Sequence, residues 1–307
     1  IWHKEAAEVV VEASDGSNGS QIAEIICKTG EKIVGKSSKG AEKFVITESS
    51  QNGESTTVTI IATDYAGNQT VVTDRVFVDR DAPKALIQGV EDYTITSKPV
   101  QVSYLAEEEN VIQTVRANIL KEDIDGKKEE TEITEWKTKS RNESGDTKKE
   151  SVQTLAEDGL YKLRMNVTDM AGNVSHAERQ LIIDKENPVI AHVDELDGKY
   201  LKKFSWNYSI EESIKDFTNY TYVMKVDDAF YRPGEKIEKE GVHVLTIEAF
   251  DSAGNKGEAK ARFTIDHTPP VIEFEEIEDG EKYEKEKTFY VRTENLEDQI
   301  EYIKING

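Results

Sequence analysis

The sequence predicts an all-β chain of small two-sheet sandwiches in tandem, and three observations predict it. The pattern Asp-x-Ala-Gly-Asn occurs at 64–68, 169–173 and 251–255. Behind each copy, at a constant distance, lies an apolar stretch closing on Asp with Pro four residues later. Fifteen residues separate Asp64 from Asp79, Asp169 from Asp184 and Asp251 from Asp266. The residues leading into each motif alternate with period two. Two blocks in one register three times over are the mark of a repeated structural unit.

The alternation identifies the strands. Positions two, four and six before the motif are Ala62, Ile60, Val58; Val167, Met165, Leu163; and Ala249, Ile247, Leu245, all apolar. The interleaved positions are mostly polar. One apolar face at period two is a half-buried β-strand. The second block behaves alike, with Val76 and Val78, Leu181 and Ile183, and Phe263 and Ile265 on one face. Two strands joined by Ala-Gly-Asn read as a hairpin in which Gly67, Gly172 and Gly254 supply positive φ. Asn68, Asn173 and Asn255 are expected to tolerate left-handed backbone, and Asp64, Asp169 and Asp251 to accept from turn amides. This explains the motif as turn chemistry without any ligand. Upstream, Tyr161 falls on the apolar face, where its hydroxyl is expected to return to a loop carbonyl as in the tyrosine corner of sandwiches. His243 takes that place in the third copy.

The prolines mark module starts, giving modules at 1–82, 83–187, 188–269 and 270–307. The first is expected to lack its opening strand, since no Pro-led segment precedes it. The last is expected to be the start of a fourth module, because PVIEFEEIEDGEKYEKEKTFYVRT repeats the opening of the third. The second module is 23 residues longer than its neighbours, and the excess is placed at 121–152. Mixed charge there, 10 acids and 8 bases from Lys121 to Glu150, predicts an exposed hairpin or loop. Trp136 is the one large apolar residue within it and the centre of a candidate contact surface. Trp206, in FSWNYSI, is read as a core residue of an early strand. Cys27 stands alone in the strand-like run IAEIICKTG, so no intrachain disulfide forms and the thiol is read as a core residue.

Asp-x-Ala-Gly-Asn, then about ten residues, then Phe/Ile-x-Ile/Val-Asp-x-x-x-Pro, resembles the bacterial Ig-like repeats of cell-surface and secreted proteins. The resemblance covers the back halves of three modules and the fronts of four. It implies immunoglobulin-like β-sandwiches arranged end to end and an extracellular, cell-surface or secreted location in a bacterium of Gram-positive type. The disulfide of antibody domains is missing, so packing alone must hold the cores.

Net charge is −22, which argues against nucleic acid, since a polyanion needs a basic face. No apolar run approaches the ~20 residues of a membrane-spanning helix, so no membrane insertion is expected. The start at IWHKEAAEVVV has no basic-then-apolar leader, and the chain is read as an internal piece of a longer polypeptide. No metalloprotease, P-loop, dinucleotide or nucleophile-elbow motif is present, and the carboxylates are scattered. No catalytic residue, no cofactor-binding residue and no enzyme activity are therefore expected. Calcium at the module junctions is the one cofactor reading, with Asp79, Asp81, Asp184 and Glu186 as metal candidates.

Links of three residues, such as Arg80-Asp81-Ala82, reach only ~10 Å, so neighbouring modules are each other's first partners and a stiff rod is expected. The functional expectation is a non-catalytic structural or adhesive stalk segment, spacing or presenting a binding region toward a host matrix protein or glycan. The alternative is an accessory array of a secreted glycan-active enzyme whose catalytic domain lies outside this sequence.

Overall fold

The computed structural model describes residues 1–137, 146–269, 271–275, 280–286, 288 and 290–293. Packing divides the chain into two units. Unit 1 is Ile1–Asn187 with Phe217–Asn219 and Asp251–Asn255; unit 2 is Pro188–Asp216, Tyr220–Phe250 and the residues from Lys256 onward.

Unit 1 holds two hydrophobic cores. The first is built by β1 (Trp2–His3), β2 (Ala7–Glu12), β3 (Ile22–Thr29), β4 (Lys32–Ser37), β5 (Ala41–Ile46), β6 (Thr56–Asp64) and β7 (Gln69–Val78). One sheet runs β1-β7-β6-β3-β4 and faces the pair β2-β5. Between them lie Ala7, Ile25, Cys27, Phe44, Ile46, Val58 and Val78. Cys27 is fully buried in β3, and burial raises its thiol pKa, which keeps it a neutral apolar side chain.

The second core has β8 (Lys84–Gln88), β9 (Thr94–Thr96), β10 (Val100–Glu107), β11 (Ile112–Glu122), β12 (Lys128–Lys137), β13 (Lys148–Leu155), β14 (Gly159–Asp169) and β15 (Val174–Ile183). Its sheets are β13-β10-β8 and β12-β11-β14-β15-β9. The period-two reading holds along β14, where Tyr161, Leu163, Met165 and Val167 are all buried. Each large side chain so buried is worth about 1.5–3 kcal/mol of transfer free energy. In both sandwiches the last strand gains a short parallel partner from the opening segment: Trp2–His3 beside Phe77–Val78, and Thr94–Thr96 beside Leu181–Ile183. This covers an edge that would otherwise expose unpaired amides. Strand order with that parallel closure makes these immunoglobulin-like sandwiches.

The charged stretch forms ordered strands in its described part. β11 and β12 make a hairpin through 123–127, and β13 pairs with β10 in the opposite sheet. Residues 148–152, read from sequence as part of the insertion, thus belong to a sandwich strand; residues 138–145 lie outside the described residues. The charges are accommodated because this hairpin's outer positions are solvent-facing, as with Arg116 paired to Glu135 at 2.9 Å.

Unit 2 comprises β16 (Val189–Ile190), β17 (Tyr200–Leu201), α1 (Ile210–Ser213), β18 (Ile214–Lys215), β19 (Tyr220–Val226), β20 (Ala229–Phe230), β21 (Gly241–Asp251), β22 (Lys256–Ile265), β23 (Ile272–Glu275) and β24 (Tyr290–Thr293). Its main sheet is β17-β22-β21-β19-β20, with pairs β16-β18 and β23-β24. Leu245, Ile247, Ala249, Ala261, Phe263 and Ile265 fill the core with Trp206 and Phe204. Trp206 is core, as expected, but not on a strand. Ser209 and Glu212 form a reciprocal capping box, and that start signal winds 210–213 into one helical turn before β18 begins. Most of the sequence-predicted fourth module lies outside the described residues. No helix among the described residues is long and apolar enough to cross a membrane.

Candidate functional site

The three Asp-x-Ala-Gly-Asn hairpins are built alike. Asp64, Asp169 and Asp251 each accept the backbone N–H of the motif Asn on Oδ1, at 2.8, 2.8 and 2.7 Å. Each accepts that Asn's Nδ2 on Oδ2, at 2.7, 2.8 and 2.7 Å. Gly67, Gly172 and Gly254 all sit at φ +90°, a conformation a Cβ would strain. The asparagines do not use the left-handed backbone they could tolerate: none is among the positive-φ residues. What the position requires is the side-chain amide.

That amide does more than close the turn. Asn173 Nδ2 also donates to the carbonyl of Asp79 at 2.9 Å, and Asn255 Nδ2 to that of Asp184 at 2.8 Å. Asp79 is the residue directly after β7, 94 positions earlier. Hairpin β14–β15 of the second sandwich therefore grips the last residue of the first. Asn173 is buried there, whereas Asn68 is exposed and clamps only Asp64. A second bond strengthens the junction: Asn110, buried in the loop after β10, accepts the Gly53 N–H on Oδ1 at 3.1 Å.

The aspartate that ends each strand pair turns the link. Asp79 Oδ1 accepts the Asp81 N–H at 3.2 Å, Asp184 Oδ1 the Glu186 N–H at 3.3 Å and Asp266 Oδ1 the Thr268 N–H at 2.8 Å. Asp79 and Asp184 are buried, while Asp81 and Glu186 are exposed. The four sequence-predicted metal candidates thus divide into two buried carboxylates and two surface ones that contribute an amide to the turn.

One motif in two settings gives opposite titration. At Asp64 the Asn68 side chain draws the carboxyl below its ordinary range. At Asp169 burial dominates and raises it, despite both Asn173 bonds, and the charge of Asp79 adds to the rise. Glu108, in the loop after β10, is raised by burial first and then by the charges of Asp79 and Asp169. Burial is the first cause at both Glu108 and Asp169, and neighbouring negative charge adds to it.

Elsewhere the polar groups answer one another. Tyr161 donates its hydroxyl to the Glu157 carbonyl at 2.7 Å, the expected corner, and His243 Nε2 lies 2.6 Å from the Lys239 carbonyl, four residues back in each case. Trp136 is half-buried against the second core, with Lys149 Nζ 4.2 Å from its ring centre. A hollow of about 590 Å³ on the β11–β12 face is lined by Arg116, Asn118, Glu130, Glu132, Glu135 and Asn166, and Asn118 bonds Glu130 across it. In unit 2, Tyr208 stacks on His192 at 4.0 Å, and Glu195 binds both.

The chain resembles several tandem-domain structures at low identity. It aligns over 89% of its length, and 73% of the other chain, with a tetra-tandem repeat in the extending region of a large adhesion protein, at 15% identity and TM-score 0.37. An ICAM-5 D1–D4 ectodomain fragment aligns over 90% and 77% at 8% identity and TM-score 0.44. Sidekick-1 immunoglobulin domains 1–5 align at 12% identity and TM-score 0.37 over 88% of this chain, which spans 59% of theirs. The fold assignment rests on strand order and cores rather than on these superpositions. No curated protein matches the chain. A family model described as a bacterial Ig-like domain matches residues 112–185, from the start of β11 to the link after β15, so this stretch carries a bacterial Ig-like domain.

Proposed function

We propose that the chain is a non-catalytic structural segment of an exported bacterial surface protein, spacing or presenting a binding region outside the cell. The observation that carries this reading is the Asn173 bond to the Asp79 carbonyl. A motif needed only to turn a hairpin would not have to reach the preceding sandwich. A link of three residues spans ~10 Å at most, and its first turn is fixed by Asp79. Together these leave the two sandwiches of unit 1 few ways to reorient, which is what a spacer needs and what a hinged catalytic pair would avoid.

The net charge of −22 fits the same role, since like charge opposes self-association. A host matrix protein or glycan remains the proposed class of target. Trp136 is then a supporting member of a surface rather than a free knob, because the core and Lys149 already occupy much of it. Antibodies raised against the chain should label intact cells of its source; label appearing only after lysis would contradict export. A glycan and matrix-protein binding screen on the full chain and on Trp136→Ala separates presenter from pure spacer.

A further inference from the structure

Unit 2 departs from the sandwich pattern at one place. In the second sandwich of unit 1 the parallel closing strand β9 leads almost directly into the eight-residue β10. In unit 2 the matching strand is β17, which closes on β22 as β9 closes on β15. It leads instead into a loop at 202–209, the turn α1 and the two-residue β18. That loop and the short 3₁₀ turn Asp194–Leu196 enclose a hollow of about 610 Å³, in the size range of small-molecule sites. Leu196, Leu201, Phe204 and Trp206 line its depth and are buried or half-buried. Loops set on a rigid scaffold are where binding residues concentrate.

The rim is held in place. His192 takes φ +67°, a left-handed backbone that is uncommon without glycine, and such strain clusters at ligand sites. Its ring stacks on Tyr208 at 4.0 Å with the planes 7° apart. Glu195 joins the two: Oε1 lies 2.7 Å from His192 Nδ1, and Oε2 accepts the Tyr208 hydroxyl at 2.9 Å. These contacts hold the Glu195 carboxyl below its ordinary range. Both of its oxygens are engaged, and it is the one acid lining the hollow. Lys199 and Lys203 stand on the rim, exposed, with no ion pair among the described residues. In a chain of 61 acids against 39 bases, two ammonium groups left without a carboxylate beside an apolar floor select an anion.

We propose that this hollow binds a sugar carboxylate, the acidic terminal residue of a glycan. A pyranose has a face of C–H groups, which suits the apolar floor, and hydroxyls that the polar rim can bond. Its carboxylate pairs with Lys199 and Lys203 through charge-assisted hydrogen bonds. A compact hollow built from residues 192–208 alone has room for a sugar unit rather than for a strand or helix of a protein. This favours the glycan over the matrix protein. A single acidic residue is specified because a net charge of −22 repels a polyanion. The inference deepens the presenting reading and rests on it.

The test titrates the full chain with methyl β-D-glucuronide, with the methyl glycoside of N-acetylneuraminic acid, and with neutral methyl β-D-glucoside, read residue by residue in NMR spectra. At least one acid should shift the Lys199 and Ser205 amides and the Trp206 indole N–H. It should saturate with Kd about 1 mM, the affinity expected of a ligand that small, and which acid does so identifies the source of the carboxylate. The glucoside should bind about tenfold more weakly. Lys199→Gln combined with Lys203→Gln should weaken the acid about tenfold, while Lys202→Gln, outside the hollow, leaves it unchanged. The Ala249 amide, in the core of unit 2, reports that each variant is folded. The proposal is overturned if neither acid saturates by about 10 mM, if the glucoside matches them, if the double variant binds like the parent, or if Lys202→Gln weakens binding as much. A silent hollow in a chain that still captures a glycan or matrix protein in the binding screen removes this site and leaves the presenting reading standing. Silence in both removes both.

Discussion

Replacing Asn173 with alanine isolates the contact on which the spacer reading depends. The backbone of Asn173 needs no left-handed conformation, so alanine adds no strain. The substitution removes two bonds from Nδ2, one to the Asp169 carboxylate and one to the Asp79 carbonyl. Asn68→Ala is the internal reference, because Asn68 makes the same clamp on Asp64 without the second bond. A hydrogen bond to a charged group is worth about 1.5–3 kcal/mol, and Asn68, being exposed, should lie at the low end. A buried carbonyl left unsatisfied adds about 1–3 kcal/mol. Asn173→Ala should therefore cost about 1–3 kcal/mol more than Asn68→Ala. Urea unfolding read from NMR peaks assigned to each sandwich measures both without assuming that the chain melts as one. Equal losses within about 0.5 kcal/mol, the usual limit of additivity, would refute the claim that the motif acts between sandwiches.

Three further outcomes follow from single side chains. Tyr161→Phe deletes only the hydroxyl bonded to Glu157, and should destabilise the second sandwich of unit 1 by about 1–2 kcal/mol, read from the same urea series. Asp227 is pushed up by burial but drawn below its ordinary value overall by the Val244 N–H and by His243. A depressed folded pKa gives stability that is present above the unfolded value of ~3.9 and is lost as pH falls through the folded one. Acid unfolding of unit 2 should accordingly be shallower in Asp227→Asn than in the parent; identical acid limbs would remove Asp227 from the account. Cys27 is fully buried and its thiol is raised by burial, so a thiol reagent should label it only at the rate of unfolding. Rapid labelling of the folded chain would show that the first core opens.

The hairpins and their inward faces were legible because they are local. Period-two alternation fixes which of Leu163, Arg164 and Met165 turn inward, and a Gly at one offset fixes the turn. Even the Tyr161 corner could be anticipated from its place on the buried face. What the chain order concealed was contact across modules. Nothing near Asn173 in sequence announces that its amide reaches Asp79, although three asparagines where glycine or aspartate would also turn the chain were a signal. Burial of the linker acids was hidden in the same way: Asp79 and Asp81 are equivalent in sequence pattern, yet one is buried and the other exposed. The turn at 210–213 was missed when FSWNYSI was read as a strand, although Ser209 and Glu212 already spelled a capping box.

The most direct measurement is the distance between spin labels placed across the junction of unit 1 in the full chain. Val71 on β7 and Val152 on β13 are exposed at 57% and 51%, and Cys27 is out of reach of the label. If Asn173 and the short link pin the two sandwiches, Val71→Cys with Val152→Cys gives one narrow distance distribution that broadens when Asn173→Ala is added. A distribution already broad in the parent, or one that Asn173→Ala leaves unchanged, would contradict the account.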